Sequence, residues 1–403
     1  MNKEDFKKEI YEIENNLKPV IEDISDYIFN HPELGLEEYE SSKYLVNLME
    51  SYNFKTTYPF CGIDTAFIAE YGDDDGTSIA FLAEYDALPG FGENGDKSAH
   101  ACGHNWISAA TVGVAIVLSK LKEKFDFIGK VVLIGTPAEE TVGSKIDMVK
   151  AGGFNNIDIC MQPHVGEFND VCCNAQAMDS IEFKFKGKAS HAAASPYEGI
   201  NALDAVMLTF AGINALRQHV RSDVRIHGIV SDGGLASNII PEKAACKVGI
   251  RALERKDLNE ITKKVIKIAK GAELMTGASM SYEYYENPMD NLVNIPSLIE
   301  ITKSNLEDAG IKNIYYDGST APSGSTDVGN VSYVCPTQYM EISLDTDEVA
   351  NVHEEAILKY INSEVAYEKL HKVIKAMAAT AVDLYLNEDK VKEIKQWHKN
   401  RVN

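Results

Sequence analysis

The sequence predicts an α/β fold: a mainly parallel sheet with helices on both faces, plus an inserted α+β domain of ferredoxin-like order. Three observations lead there. Strand-like and helix-like segments alternate over residues 1–176, the pattern of a parallel sheet covered by helices. From Ala177 to 289 the strands become alternating and half-polar, in the order strand, helix, strand, strand, helix, strand. From 290 to 403 the first texture resumes, so the outer segments form one domain and 177–289 an insertion.

The elements follow in order. Helical periodicity runs from Lys3 to Phe29 and from Glu37 to Tyr52, with Pro32 and Gly35 separating the two. Short apolar runs at 66–71, 78–85, 130–136 and 157–162 read as strands. Between 85 and 130 the apolar stretch from Trp106 to Leu121 reads as a buried helix. In the insertion, 180–187, 224–231, 244–253 and 280–286 read as strands, and Asn201 to His219 and Lys256 to Thr276 as helices.

Composition narrows the function. The chain has 403 residues, 45% of them hydrophobic and 25% charged, enough apolar material for two cores. No window supplies the roughly 18 uncharged apolar residues of a membrane span, so no membrane partner is expected. A net charge of −22 without a compensating Lys/Arg cluster argues against nucleic acid as a partner. Seven irregularly spaced cysteines do not form a disulfide framework, and the charged N-terminal stretch lacks a secretory apolar segment; both point to a cytoplasmic location.

Ligands of parallel sheets sit beyond the carboxyl ends of the strands. There this sequence places Glu84 and Asp86, then Glu139 and Glu140 after Pro137, then His164 after Pro163. Cys102 and His104 lie at the start of the apolar helix, on the same edge. Each alone has a plain alternative: a hydrogen-bonded histidine, solvated glutamates, a small packed cysteine. Together, thiol, imidazole and carboxylate favour a metal of the zinc type. Successive residues leaving a strand point to opposite sides, so one glutamate of the pair can bind metal while the other moves a proton.

The motifs HPELGLEE (31–38), EYDALPG (84–90), HACGHN (100–105), TPAEE (136–140), QPHVG (162–166), GKASHAAASPYEGINALDA (187–205), SNIIPEKA (237–244) and GSTDVGNVSYVCP (324–336) occur in that order. With them the chain resembles the dinuclear metallopeptidases and amidohydrolases that include aminoacylases, indole-acetyl-amino-acid hydrolases and p-aminobenzoyl-glutamate hydrolase subunits. The resemblance implies a lid and dimerisation role for the insertion and two divalent metal ions per chain, zinc or else manganese, cobalt or nickel. It implies Cys102, His104, Glu140, His164 and His353 as metal ligands and Glu139 as general base. Asp86 matches a residue that orients a metal-bound histidine, and His191 a histidine that reaches across a homodimer to the partner's oxyanion. Asn238 and Arg251 match lid residues that hold substrate. Glu84 stands where the wider family's peptidases have histidine, Asn105 where many amidohydrolases have aspartate, and GSTDVGNVS replaces their acidic motif. The last two point to the p-aminobenzoyl-glutamate hydrolase and dipeptidase-like branch. The segment 91–99 is a longer loop than usual, and His100 reads as structural.

The expected activity is hydrolysis of the amide of a small N-acyl, aminobenzoyl or aminoacyl amino acid. Two alternatives stand beside it. Cys102 could be the nucleophile of a cysteine hydrolase with His104 as base, though side chains two apart on a helix do not face each other. The chain could also be a catalytically silent dimeric binding protein of the same fold.

Overall fold

The structure is a computed structural model that describes residues 3–125, 127–321, 324–346 and 350–402. The chain forms two compact units, the first comprising the segments up to Asn174, from Leu292 to Ala321 and from Asp327 onward. The second spans Ala175–Asn291 and includes a short return segment ending at Thr326.

The first unit begins with helix α1 (Lys3–Asn30), which runs through Pro19 and buries Ile10, Ile13, Ile21, Ile24 and Ile28 along one stripe. Helix α2 (Tyr39–Ser51) follows, then strands β1 (Lys55–Thr57), β2 (Phe67–Gly72) and β3 (Ser78–Ala83). The segment read as a long loop folds as a hairpin, β4 (Leu88–Phe91) against β5 (Lys97–Ala99). Helix α3 (His104–Lys124) is buried almost all round, because it packs on β3, β6 and β7 while α1 and α9 cover it. Strand β6 (Lys130–Gly135), helix α4 (Ser144–Lys150), and strands β7 (Ile159–Val165) and β8 (Asn169–Asp170) complete this segment.

The second unit contains β9 (Ala177–Lys186), α5 (Ala202–Leu216), β10 (Arg225–Asp232), β11 (Lys243–Ala252), α6 (Arg255–Thr276) and β12 (Ser279–Tyr284). Its strand order is β10-β11-β9-β12, antiparallel throughout, with α5 and α6 packed together on it. That is the ferredoxin-like arrangement. Phe183, Phe185, Val248, Ile250 and Val265 fill its core. Strand β10 is an edge strand with Ile229 and Val230 exposed. The backbone amide of Gln176 donates to the carbonyl of Gly324 at 2.7 Å, an addition that local pattern does not announce.

The chain returns to the first unit with α7 (Pro296–Asp308), β13 (Ile314–Tyr315), α8 (Val328–Val334), β14 (Thr337–Ile342), α9 (Glu364–Tyr385) and α10 (Glu388–Val402). The sheet order is β1-β2-β6-β3-β7-β14-β8-β13. Its centre, β6-β3-β7-β14, is parallel, while β1/β2, β2/β6 and β14/β8 are antiparallel. All six residues of β3 and five of six in β6 are buried, which is why both read as unbroken apolar runs. The parallel core directs the carboxyl ends of β3, β6, β7 and β14 to one edge.

Candidate metal centre

At that edge, β3 ends at Ala83 and presents Glu84 and Asp86, both buried. Asp86 holds two elements at once: Oδ1 accepts from His104 Nδ1 at 2.8 Å, and Oδ2 accepts from the backbone N–H of Glu140 at 2.9 Å. The His104 ring therefore donates through Nδ1 and turns Nε2 toward the interior, where that buried atom has no hydrogen-bond partner. His104 opens α3, and Gly103 before it is left-handed at φ +83°, a conformation natural to glycine.

That turn corrects the spacing argument against contact between Cys102 and His104. Cys102 is not on the helix, and the sharp turn at Gly103 brings its Sγ, the His104 ring and His164 within 4.8 Å of one another. Sγ lies 3.5 Å from His164 Nε2 and 3.3 Å from His353 Nε2. Burial, with Glu140 nearby, pushes the Cys102 thiol well above its ordinary range, so as a free nucleophile it is poor and as a ligand it needs a compensating cation.

His164 departs from expectation in its setting. Pro163 does not precede a loop; β7 continues through it to Val165 beside β14. Pairing of β7 with β3 ends at Met161, so at Pro163 only β14 flanks the strand and the missing donor costs little. His164 Nδ1 is 2.7 Å from the Val165 carbonyl, which leaves Nε2 facing Cys102. His353 follows β14 in a left-handed conformation, φ +68°, its N–H donating to the Ala101 carbonyl.

Glu139 and Glu140 follow β6, and both come within reach of His104 rather than diverging to opposite sides, though their other neighbours differ. Glu140 groups with Cys102 and His353, and its Oε1 is 3.1 Å from His353 Nε2. Although burial raises it, the His353 hydrogen bond and the charge of His104 hold the Glu140 carboxyl at about 2. Glu139 groups with Glu84 and Asp327 as well as with His104 and Glu140. Burial, then the charges of Glu84, Asp327 and Glu140, push its carboxyl well above the carboxylate range.

Two participants carried no assignment from the sequence. Lys145, fully buried, sets its Nζ 2.6 Å from Glu84 Oε1 and 2.7 Å from Asp327 Oδ1. This explains Glu84: it anchors a buried ammonium, which, against the effect of burial, brings its carboxyl down to about 2. Asp327 lies within the GSTDVGNVS motif, whereas a lone lysine in GSKID carries no local signal. His100 is buried, and that burial drives its pKa down to about 3.

The donor set suits divalent metal. Cys102 is common to two groups, one with His104 and His164 and one with Glu140 and His353, and every ligand atom within a group lies inside 4.8 Å. Two buried atoms there, His104 Nε2 and Glu84 Oε2, make no hydrogen bond, which leaves them open to a cation.

The other three residues lie in the second unit. His191 is exposed, and its Nδ1 accepts from the N–H groups of Ala193 and Ala194, both at 3.2 Å, which assigns the proton to Nε2. Asn238 adjoins it: its carbonyl accepts from Ala192 N–H at 3.0 Å. Arg251, half-buried, donates to Ser325 Oγ at 3.0 Å. His191 follows β9 and Asn238 precedes β11, whereas Arg251 is near the far end of β11, paired with Met178. At 3.3 Å per residue, the eight steps from Lys243 to Arg251 span roughly 26 Å.

Comparison with known proteins gives the family. The profile of peptidase family M20/M25/M40 matches residues 80–382. A mouse protein named Xaa-Arg dipeptidase is 36% identical over 376 residues, covering 90% of this chain and 84% of its own. A p-aminobenzoyl-glutamate hydrolase polypeptide of Escherichia coli is 30% identical, with 93% and 91% covered. A dinuclear metal binding peptidase of the M20 family from Bacillus subtilis shares the fold at TM-score 0.69 and 19% identity, covering 91% and 99%. Match, identity and fold converge, and the chain belongs to peptidase family M20/M25/M40 as a hydrolase of peptide-type C–N bonds.

Proposed function

We propose that this chain is a dinuclear metal-dependent dipeptidase or amidohydrolase, which cleaves the amide of a small aminoacyl, N-acyl or aminobenzoyl amino acid. The observation that carries it is the pair of ligand groups sharing Cys102, with His104 turned toward them by Asp86. Cys102, His104, Glu140, His164 and His353 would hold the two ions, zinc or else manganese, cobalt or nickel. When bound, such ions would polarise the scissile carbonyl and make a water acidic enough to attack at neutral pH. With cations beside it favouring the ionised carboxylate, Glu139 would take the proton of the attacking water and pass it to the leaving amine.

The same proposal includes a homodimer. His191, with its proton on Nε2, is a donor for the tetrahedral oxyanion. His191 and Asn238 share one end of the second unit's sheet and Arg251 the other, which suits a dimer whose lids serve two different sites. Arg251 would hold the substrate carboxylate and Asn238 the acyl side. The exposed edge strand β10 offers a surface for self-pairing. Seven free cysteines favour a reducing, cytoplasmic setting. No helix among the described residues is long and apolar enough to cross a membrane.

The test is amine release from N-acetyl amino acids, dipeptides including Xaa-Arg and β-alanyl forms, and p-aminobenzoyl-glutamate, with added Zn²⁺ or Mn²⁺ and with chelator. Chelator-sensitive cleavage is expected, and Glu139→Gln is expected to lose about 10²- to 10⁴-fold in kcat while retaining metal. Wild-type turnover in that variant would refute the assignment.

A further inference from the structure

Glu38 lies outside the ligand set, 0% exposed, at the end of the HPELGLEE stretch. Its Oε1 accepts from the backbone N–H of Ala138 at 2.7 Å, and its Oε2 from the Thr65 hydroxyl at 2.9 Å. Thr65 is itself held, since its carbonyl accepts from the Tyr85 hydroxyl at 2.6 Å.

The residue gripped is unusual. Ala138 has φ +57°, left-handed backbone that a residue with a Cβ does not adopt without something to hold it there. It immediately precedes Glu139 and Glu140, so its conformation sets the direction in which both carboxylates leave β6. Gly35 packs closely on this turn: a Cβ added there would meet Ala138 Cα at 3.0 Å and Thr141 Oγ1 at 2.3 Å. Two carboxylates hold the turn by its amides, Glu38 on Ala138 and Asp86 on Glu140, and Gly143 N–H donates to the Ala138 carbonyl at 3.0 Å.

We propose that Glu38 is a positioning residue, whose grip on the left-handed Ala138 peptide fixes the turn that presents Glu139 and Glu140 to the metal centre. The inference rests on the reading of that centre given above. Were the grip lost, Ala138 would relax toward negative φ and swing the glutamate pair away, with the fold otherwise unchanged.

The test uses the full chain and Co²⁺ as probe, followed by sulfur-to-cobalt absorption from Cys102 and by calorimetric titration, beside kcat and KM on whichever panel substrate is cleaved. Glu38→Ala is expected to weaken Co²⁺ binding 10- to 100-fold, as removal of an outer partner of a metal site does, and to lower kcat more than it changes KM. Glu38→Gln keeps an acceptor for the Ala138 amide and recovers most of that loss. Ala138→Gly makes the left-handed turn costless, so Glu38→Ala in that background should cost less than tenfold. A merely structural carboxylate would show no such dependence on residue 138. If Glu38→Ala does not fold, Glu38→Asp decides, because the shorter arm cannot reach the amide while the charge remains. Wild-type Co²⁺ affinity in Glu38→Ala, or in Glu38→Asp where the former does not fold, overturns the proposal, as does an equal cost in the Ala138→Gly background. Failure of the hydrolase reading is seen separately, as full turnover in Glu139→Gln.

Discussion

Replacing Lys145 by methionine is the sharpest probe of how the site's charge is balanced. The side chain is fully buried, and its ammonium lies 2.6 Å from Glu84 and 2.7 Å from Asp327, both also buried. Methionine keeps the volume and removes the charge, leaving two carboxylates facing each other beside Glu139. Breaking a buried ion pair by deleting one partner costs about 3–5 kcal/mol, because the survivor remains desolvated without compensation. Here there are two survivors, so the upper part of that range is expected in the metal-free protein at pH 7. Both tryptophans, Trp106 and Trp397, belong to the first unit, and Trp106 is fully buried with Nε1 donating to the Ala366 carbonyl at 2.9 Å. Their fluorescence in urea therefore reports this unit, and a loss of that size moves the midpoint by on the order of 1 M. The triple variant Lys145→Met, Glu84→Gln, Asp327→Asn should regain most of the loss, since a neutral hydrogen-bonded set carries no unpaired charge. A Lys145→Met midpoint within about 0.3 M of wild type would refute the reasoning, because such a triad would then contribute no more than a surface pair.

Two further outcomes follow from the same geometry. Asp86→Asn removes the carboxylate that directs His104 Nε2 and also weakens the hold on the Glu140 amide; calorimetric titration should show roughly 10- to 100-fold weaker metal affinity, and unchanged affinity would dismiss its orienting role. If His191 acts across a dimer, His191→Ala and Glu139→Gln, each inactive alone, should complement when refolded together, to about a quarter of wild-type activity, since half the dimers are mixed and each carries one intact site. No recovery in verified mixed dimers would place His191 in its own subunit's site or in none.

Legibility differed between elements for identifiable reasons. Strands β3 and β6 were readable because both faces are buried and the sequence there is unbroken apolar, and β9 toward its carboxyl end, where buried Phe183 and Phe185 alternate with exposed Lys184 and Lys186. Strands β8 and β13 are two residues each and exist only through pairing with partners more than 100 residues away, so no local pattern could reveal them. The continuation of β7 through Pro163 likewise depends on β14 lying on one side while β3 has already ended. Local chemistry says that proline interrupts a ladder, and only the sheet order says on which side the interruption falls.

At the metal centre the contrast is between donor atoms and the groups that aim them. Cys102, His104, Glu139, Glu140 and His164 were legible because ligand-type side chains beyond apolar strands have few reasons to gather on one edge. Lys145 and Glu38 were not, because their chemistry is created by tertiary apposition: Asp327 is 182 residues from Lys145, and the Ala138 amide is 100 residues from Glu38. The mistaken geometry of Cys102 has the same origin, since helical spacing was applied to a residue that one left-handed glycine removes from the helix. Asp86 joins the two classes, reading as a strand-end carboxylate yet acting through His104 and the Glu140 amide. Sequence thus exposes what can bind a cation, while orientation rests on buried hydrogen bonds to backbone, and backbone amides are identical at every position but proline. Glu38 and Asp86 both act on such amides, which is why their effect must be sought in metal affinity rather than in the donor list.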